Sequence, residues 1–221
     1  MNYVQKLKDK MIIQGEDEKY IELCTSYAQK LCDNNVPVIF DFKHLALLLG
    51  YEPSELAFYL FASDDSFYTQ IQIPKKSGGM RNIEIPSDRL KNIQRWILKN
   101  VLNNIVVHDS CYGFMKGKSI YDNALLHVGK DCVLNMDLKD FFPSISQKDV
   151  FNIFYQRGYT KKVSYYLAKL LTKDGVLPQG SPASPQISNI VAKHLDKRLS
   201  ELSKRYNAVY SRYADDLTFS G

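Results

Sequence analysis

Apolar residues recur at helical spacing through the first fifty residues of the chain. The longest helix predicted there carries apolar side chains three and four positions apart, at Ile21, Cys24, Tyr27, Ala28 and Leu31. A shorter helix is predicted from about Asp41 to Leu49, and Pro53 suits the first turn of another. The pattern therefore predicts a helical N-terminal region, residues 1–66, which by itself indicates no function.

From Tyr68 the period of the pattern changes to two. Alternating segments flank Lys75-Lys-Ser-Gly-Gly-Met-Arg81, which predicts a β-hairpin with a basic, glycine-rich tip. The side chains of Lys75, Lys76 and Arg81 and the flexible backbone beside them can meet phosphates through charge and N–H groups. An ordinary charged, solvent-exposed hairpin is the alternative interpretation.

The next predicted helix, about Asp88 to Ile105, is amphipathic. Lys91, Arg95 and Lys99 are four positions apart on its polar face, and such a stripe suits a nucleic-acid backbone, although solvation alone would explain any one of them. A loop with two glycines, two lysines and two aromatic residues follows, and its rings and cations suit bases and phosphates.

A short helix is predicted from Ser119, and it contains Asn123 and His127. A lone histidine in that place is more often a hydrogen-bonded packing residue than a ligand. The nearly continuous apolar run that ends at Asp137 predicts a buried strand, which would hold that carboxylate rigidly beside a cleft. Capping of the following turn by Asp137 is the alternative.

Two amphipathic helices are predicted next, from Gln147 to Arg157 and from Thr160 to Thr172. The punctuated loop Gly175–Pro185 then leads into a single helix that runs to about Lys204, with Ser184 as its N-cap. This loop brings Gln179 and several backbone N–H groups to a helix start, where a base or sugar of a nucleotide can bind.

The last predicted element is a hairpin whose bend is Tyr213-Ala-Asp-Asp216. A two-residue turn favours glycine or asparagine because it requires positive φ, yet here it would contain Ala214 and Asp215. Two carboxylates about 4 Å apart repel by roughly 4 kcal/mol at an effective dielectric constant near 20, and a divalent cation would remove that cost. A solvated acidic turn is the alternative.

Composition narrows the class of protein without naming a function. The 221 residues are 45% apolar and 12% aromatic, which excludes a disordered chain and favours one domain with an appended lobe. The excess of 29 basic over 24 acidic residues is too small to establish a polyanionic partner. Neither a signal peptide nor a membrane-spanning window is found, and the four scattered cysteines are interpreted as reduced core thiols in a cytosolic setting.

The order of these parts resembles the reverse transcriptase family over Tyr68 to Gly221. Asn123-Ala-Leu-Leu-His127 also resembles a signature of bacterial retron reverse transcriptases that precedes the first catalytic strand. The resemblance implies an α+β right-hand polymerase, in which residues 67–130 form the fingers and residues 131–221 form a palm of antiparallel strands backed by helices. A thumb would be absent.

The resemblance also implies roles for individual residues. Asp137, Asp215 and Asp216 would hold two Mg²⁺ ions for nucleotidyl transfer. The incoming triphosphate would be clamped by Arg81 and by Lys75 or Lys76, between which the spacing does not decide. The nucleotide pocket would be lined by Gln179 and Gly180, with Phe142 as a bulky gate against a ribose 2′-hydroxyl. RNA would be bound through Lys91, Arg95, Lys99, Asn123 and His127.

The implied substrates are deoxynucleoside triphosphates and a structured noncoding RNA, which would be copied into RNA-linked single-stranded DNA. Retron systems further imply an effector protein and antiphage defence in a bacterial cytoplasm. A noncatalytic RNA-binding scaffold built on a polymerase palm is the alternative from another class of protein. A group II intron-like or diversity-generating reverse transcriptase is the alternative within the enzyme class.

One departure from the family pattern concerns the C-terminal end of the sequence. Family members continue past the Tyr-Ala-Asp-Asp hairpin into further palm strands and a thumb, whereas this sequence stops at Gly221. We therefore expect an exposed sheet edge at the closing strand. We also expect this chain alone to bind template weakly and polymerise poorly, or to be a fragment of a longer protein.

Overall fold

The computed structural model describes residues 3–74 and 78–221 and has an α+β fold with an entirely helical N-terminal region. The caps are those that the sequence predicts: Asp41 accepts a hydrogen bond from the His44 amide, and Gly50 takes the left-handed conformation. The elements of this region are α1 (Tyr3–Ile13), α2 (Glu18–Asp33), α3 (Phe42–Leu49) and α4 (Pro53–Phe61).

The predicted hairpin is present as β1 (Tyr68–Pro74) and β2 (Met80–Pro86), an isolated antiparallel pair. The following helix, α5 (Asp88–Asn100), is shorter than predicted, and a 3₁₀ turn (Leu102–Asn104) replaces its last part. The side chain of Asn104 explains why α5 ends early. Its Nδ2 atom donates to the backbone oxygens of Asn35 and Asn100 and so competes with the backbone hydrogen bonds of the helix. The helix α6 (Ile120–Leu125) begins after the capping box of Ser119, as predicted, but it ends before His127, so the prediction that the helix contains His127 is wrong.

The remaining elements form a three-stranded antiparallel sheet and the helices beside it. They are β3 (Val133–Asp137), α7 (Gln147–Gln156), α8 (Lys161–Leu171), α9 (Ser184–Val191), α10 (Lys193–Arg205), β4 (Val209–Tyr213) and β5 (Asp216–Ser220). The strand order is β3-β5-β4, and α10 packs on β4. The prediction of one helix from residue 184 to 204 is wrong because the helix divides at Ala192. Ser184 is not its N-cap, since its hydroxyl donates instead to the Pro178 carbonyl.

The prediction of a buried strand ending at Asp137 is also wrong, because all five residues of β3 are exposed. Among the described residues β3 pairs only with β5, so Leu134 and Met136 remain 54% and 51% exposed. The exposed sheet edge therefore lies at β3. The closing strand β5, where we expected that edge, is the central strand of the sheet.

One hydrophobic cluster runs from α2, at Ala28, to α9, at Ile187, and joins the N-terminal helices to the helices of the predicted palm. The four cysteines are unpaired, as predicted. Cys132 directly precedes the edge strand β3 and is exposed, so the prediction that it is a core thiol is wrong. In the part of the chain that the structure describes, no helix is both long enough and apolar enough to cross a membrane.

Candidate active site

The pairing of β3 with β5 brings together acids that are distant in the sequence. Asp137, the last residue of β3, lies directly opposite Asp216, the first residue of β5. Asp215 precedes Asp216 in the turn, and its carbonyl accepts a hydrogen bond of 3.0 Å from the Leu138 amide. The three predicted acids therefore lie at one end of the sheet, held by backbone pairing on rigid strands.

The electrostatics of this end of the sheet favour a bound cation. Partial burial raises the pKa of the Asp216 carboxyl, and the neighbouring charges of Asp215 and Asp137 raise it further. Within the described residues, no three acidic, histidine or cysteine side chains form a ready-made metal cage. Mg²⁺ is ordinarily held by one or two carboxylates together with substrate phosphates and water, so this donor set fits a site that the nucleotide completes.

The turn between β4 and β5 is held in an uncommon backbone conformation. Ala214 is buried and has a φ of +58°. The two-residue turn requires this positive φ, which is uncommon for a residue other than glycine. Gly113 packs directly against it, because a Cβ at position 113 would overlap the amide nitrogen of Ala214. Bonds of 2.8 Å from the Arg212 amide to the Ser110 carbonyl and from the Tyr112 amide to the Arg212 carbonyl hold that segment beside β4.

A buried ion pair supports the turn from beneath. The Nε and Nη2 atoms of Arg212 each donate to a carboxylate oxygen of Asp196 over 2.8 Å, and both side chains are fully buried. Arg212 Nη1 donates to the Ala214 carbonyl at 2.8 Å and to Asn189 Oδ1 at 3.1 Å. Sequence reasoning missed this residue, although an arginine at an inward-facing position of an apolar strand is a signal that could have identified it.

A cavity of about 500 Å³ adjoins the acids. It is lined by four other residues predicted to bind the nucleotide: Arg81, Phe142, Gln179 and Gly180. Asp215 and Asp216 line the same cavity, which therefore places cationic, aromatic, amide and carboxylate groups around one volume. The predicted triphosphate ligands Lys75 and Lys76 lie outside the described residues.

The loop that contains Gln179 is fixed to the hairpin by backbone contact. The Glu84 amide donates to the Gln179 carbonyl at 2.7 Å, which joins the loop to β2. Gly180 has a φ of +134°, and the Glu84 carbonyl occupies the space that a Cβ would need. Glycine is therefore required at position 180 by both backbone conformation and space.

The same loop is tied to the core by Gln94, which is fully buried within α5. Its amide nitrogen donates to the Tyr68 hydroxyl at 3.0 Å and to the Leu170 carbonyl at 3.1 Å, and its oxygen accepts from Ser181 Oγ at 2.9 Å. Sequence reasoning missed this residue as well. A glutamine between Ile93 and Ile97 on the apolar face of α5 is a signal that could have identified it.

The residues predicted to bind RNA lie away from this cavity. Arg95 and Lys99 are exposed on α5, and Lys91 forms an ion pair of 3.3 Å with Asp88. Asn123 is buried, and its side-chain oxygen has no hydrogen-bond partner. Their role in RNA binding stays a prediction.

His127 connects the segment after α6 to the sheet. Its Nδ1 lies 2.7 Å from the Ser220 hydroxyl, and its Nε2 lies 2.8 Å from the Ser211 hydroxyl, so both ring nitrogens have partners within the protein. Burial lowers the pKa of the imidazole, and the charge of Lys130 lowers it further. In this arrangement His127 anchors α6 on β4 and β5.

Comparison with known proteins is consistent with this geometry. A family model described as reverse transcriptase (RNA-dependent DNA polymerase) matches residues 73–221. The Retron Mx162 reverse transcriptase of Myxococcus xanthus is 40% identical over 80% of this chain and 41% of its own length. The Retron Ec86 reverse transcriptase of Escherichia coli is 34% identical over 86% of this chain and 60% of its own length.

This chain thus spans about half the length of the curated relatives that it matches. The family match nevertheless covers both strands that carry the three acids, the loop that contains Gln179 and most of the hairpin. The chain therefore belongs to the reverse transcriptase family, and within that family it is similar to retron reverse transcriptases.

Proposed function

We propose that this chain forms the fingers and palm of an RNA-directed DNA polymerase of retron type. The observation that carries the proposal is the position of Asp137 opposite Asp216, beside a cavity that also contains Arg81 and Gln179. We divide the chain into an N-terminal helical region (1–66), fingers (67–130) and palm (131–221). The family match to residues 73–221 supports the polymerase activity.

The reaction joins a nucleotide to a primer hydroxyl. The hydroxyl oxygen loses its proton to solvent and attacks the α-phosphorus of a deoxynucleoside triphosphate, and the bond from that phosphorus to the bridging oxygen breaks to release pyrophosphate. Asp137, Asp215 and Asp216 would hold two Mg²⁺ ions. These ions would neutralise the charge that develops on the attacking and leaving oxygens. Arg81 lies in the same cavity, where its guanidinium can pair with triphosphate oxygens.

Two further features of the cavity fit a deoxynucleotide. The missing side chain at Gly180 lets the loop pack against Glu84 of β2, and this packing holds Gln179 in the cavity wall, where it supplies amide donors and acceptors. Phe142 is half-buried, and its ring lies 5.6 Å from that of Phe141. This ring gives the cavity a rigid wall that can exclude a ribose 2′-hydroxyl.

The partners are proposed from the similarity to retron reverse transcriptases. The template would be a structured noncoding RNA, and synthesis would start at an internal RNA 2′-hydroxyl and give RNA-linked single-stranded DNA. An effector protein and a role in antiphage defence in the bacterial cytoplasm complete the proposal. Lys91, Arg95 and Lys99 would contact RNA directly, whereas His127 and Asn123 would act by positioning α6.

The test is Mg²⁺-dependent incorporation of one deoxynucleotide on an RNA template, for the parent and for Asp215→Asn. We expect a loss of about 100-fold or more, since metal ions contribute several kcal/mol to such transition states. Glu22→Gln is the matched control, because it removes an exposed carboxylate on α2. Equal rates for the parent and Asp215→Asn would refute the metal assignment.

Two other outcomes separate the alternatives. RNA binding without any incorporation, both by the parent and by a version extended with a thumb, would support the noncatalytic scaffold. Incorporation with no preference for retron-type RNA would instead favour a group II intron-like or diversity-generating reverse transcriptase.

A further inference from the structure

A second cavity, of about 490 Å³, lies between the C-terminal half of α7, the end of α9 and the first turns of α10. It shares no lining residue with the cavity beside the three acids. Its apolar wall includes Ile153, Ile190 and Val191. Its polar wall is basic, with Arg157, Lys193 and Lys197 together with two histidines, and we call it the basic cavity.

The positive charges of the basic cavity have few acidic partners, although the Lys193 ammonium donates to the Val106 carbonyl at 2.9 Å. Lys193 and Lys197 are four residues apart on α10, where like charges repel and destabilise the helix. Among the described residues that line the cavity, Asp149 is the one acid, and its carboxylate already accepts a 2.9 Å bond from the Ser146 amide. Glu201 lies at the 4.0 Å limit of an ion pair with Lys197. A bound anion would relieve this repulsion.

A third cavity has lining residues in common with both the basic cavity and the cavity beside the acids. It measures about 480 Å³, shares Ile105 and His108 with the basic cavity, and shares the exposed ring of Phe114 with the cavity beside the acids. Along α9, the distance from Pro185, which lines the cavity beside the acids, to Val191, which lines the basic cavity, is about 9 Å at 1.5 Å per residue. The basic cavity therefore lies close to the candidate active site.

Two lysines and one acid, Asp109, line the third cavity, so its lining carries a net positive charge. Lys116 lies there in an exposed position. The ammonium group of Lys118 is held by the Cys111 carbonyl at 2.9 Å and lies 4.1 Å from the centre of the Tyr112 ring. Cations interleaved with aromatic rings along a groove are typical of surfaces that follow a nucleic-acid strand.

We propose that the basic cavity binds phosphate groups of the RNA that this protein copies, at a site separate from the three acids. The inference rests on the proposed function, because it takes the RNA as the occupant. Arg157, Lys193 and Lys197 supply the charge, and the amide side chains of Asn152 and Gln156 can bond ribose hydroxyls. The closeness of the basic cavity to the candidate active site favours RNA over an acidic protein segment.

The test compares Arg157→Glu/Lys197→Glu with the parent in two assays. The first is binding of a structured RNA by fluorescence anisotropy between about 50 and 200 mM salt, where each lost phosphate contact lowers the slope of log K against log salt by about 0.7 to 0.9. We expect the slope to fall by about 1.5 and the affinity at the lower salt to fall about 10-fold or more. The second assay is deoxynucleotide incorporation on a short template confined to the acids, which should change less than about twofold, because the substitutions lie outside that cavity.

Lys6→Glu/Lys10→Glu on α1 is the matched control, since it changes net charge equally at exposed positions. Equal losses of RNA affinity in the two double variants would overturn the proposal, because net charge alone would then explain them. Arg157→Gln/Lys197→Gln, which introduces no negative charge but also loses both phosphate contacts, should reproduce the fall in slope of about 1.5 if Arg157→Glu/Lys197→Glu is poorly folded. An unchanged slope in this variant would also overturn the proposal.

The outcomes for the basic cavity and for the proposed function can be told apart. Reduced RNA binding by the variant, in a parent that incorporates no nucleotide even when it is extended with a thumb, would retain the RNA site and reject the polymerase. Normal RNA binding by the variant, with an active parent, would retain the polymerase and reject the RNA site. An acidic protein segment would then be the candidate occupant of the basic cavity, and competition with a poly-glutamate peptide would test it.

Discussion

Arg212 and Asp196 form a fully buried, two-point ion pair directly beneath the turn that carries Asp215. The third nitrogen of the guanidinium donates to the Ala214 carbonyl, so one side chain connects α10 to the strained residue of that turn. The planar, forked geometry of arginine allows these contacts at once, and a lysine ammonium cannot reproduce them. The turn that carries Asp215 is therefore supported by a charge pair that is fully buried.

We expect Arg212→Leu to lower the free energy of unfolding by about 3–5 kcal/mol, because Asp196 would remain buried without its partner. Arg212→Lys keeps the charge but loses the bond to Ala214, and we expect it to fold and to incorporate nucleotides at least about 10-fold more slowly. Denaturant unfolding and single-nucleotide incorporation measure the two effects. The control is Arg198→Lys on the exposed side of α10. A parental rate in Arg212→Lys would show that the turn does not need the guanidinium.

Gly113→Ala should displace the turn, because the new methyl group would overlap the Ala214 amide nitrogen. We expect a stability loss of about 1–3 kcal/mol, as for other overpacked sites, and a larger fractional loss of incorporation rate. Gly129→Ala is the control: its φ of +73° adds backbone strain, but nothing lies within 4 Å of the added methyl group. Similar activity in these two variants would contradict the importance of the packing at Gly113.

Gln94→Leu should affect nucleotide binding more than the chemical step. The substitution leaves the Ser181 and Tyr68 hydroxyls without their partner, at a cost of about 1–3 kcal/mol, and loosens the loop that contains Gln179. We expect the KM for deoxynucleotide to rise about 10-fold while kcat changes less than about threefold. Gln29→Leu on the surface of α2 is the control. A fall in kcat at unchanged KM would contradict this assignment.

Asp216→Asn should stabilise the protein while it abolishes incorporation. Without Mg²⁺ at neutral pH, loss of a repelled charge should raise the free energy of unfolding by up to about 1 kcal/mol, because these carboxylates are partly exposed. The raised pKa of Asp216 means that the folded state binds its proton more readily than the unfolded state, so the parent gains relative stability as the pH falls. The advantage of the variant should therefore shrink from pH 7 towards about 4.5.

Thermal unfolding across that pH range, with and without Mg²⁺, measures the effect. Mg²⁺ should raise the Tm of the parent more than that of Asp216→Asn, since the ion binds the ionised carboxylates. An advantage that grows as the pH falls would contradict the sign of the shift.

Phe142→Ala should admit ribonucleotides. Removal of the ring opens the wall of the cavity that we assign to sugar discrimination, so the preference for deoxynucleotide over ribonucleotide should fall by about 10-fold or more. The measurement is kcat/KM for matched deoxy- and ribonucleoside triphosphates. Phe151→Ala, on α7 outside this cavity, is the control. An unchanged preference for deoxynucleotide over ribonucleotide in Phe142→Ala would show that Phe142 does not discriminate between the sugars.

Local signals predicted much of the fold. Gly50, Ser119 and Thr160 end or begin helices where the sequence indicates, because capping depends on residues only a few positions apart. The hairpin around Ala214 is confirmed as well. Ala214 has the positive φ that the turn requires and that is uncommon for alanine.

Properties that depend on distant neighbours could not be predicted in this way. The apolar run that ends at Asp137 indicates burial, but its exposure depends on which strands pair with it. Arg212 and Gln94 interrupt apolar patterns, and their partners Asp196 and Ser181 follow only from the packing of other elements. We expected the three acids to lie together because the sequence resembles a known family. The spacing of the acids alone could not predict this, because it does not determine the order of the strands.

The hydrophobic cluster that joins α2 to α9 has a consequence for minimal versions of this protein. The family match begins at residue 73, whereas Leu31, Leu45 and Leu56 have no solvent exposure and belong to the same cluster as Leu167 and Ile187. A truncation that starts at the match would strip one wall from that interior and expose apolar surface to water. The catalytic module defined by homology is therefore smaller than the unit that must fold.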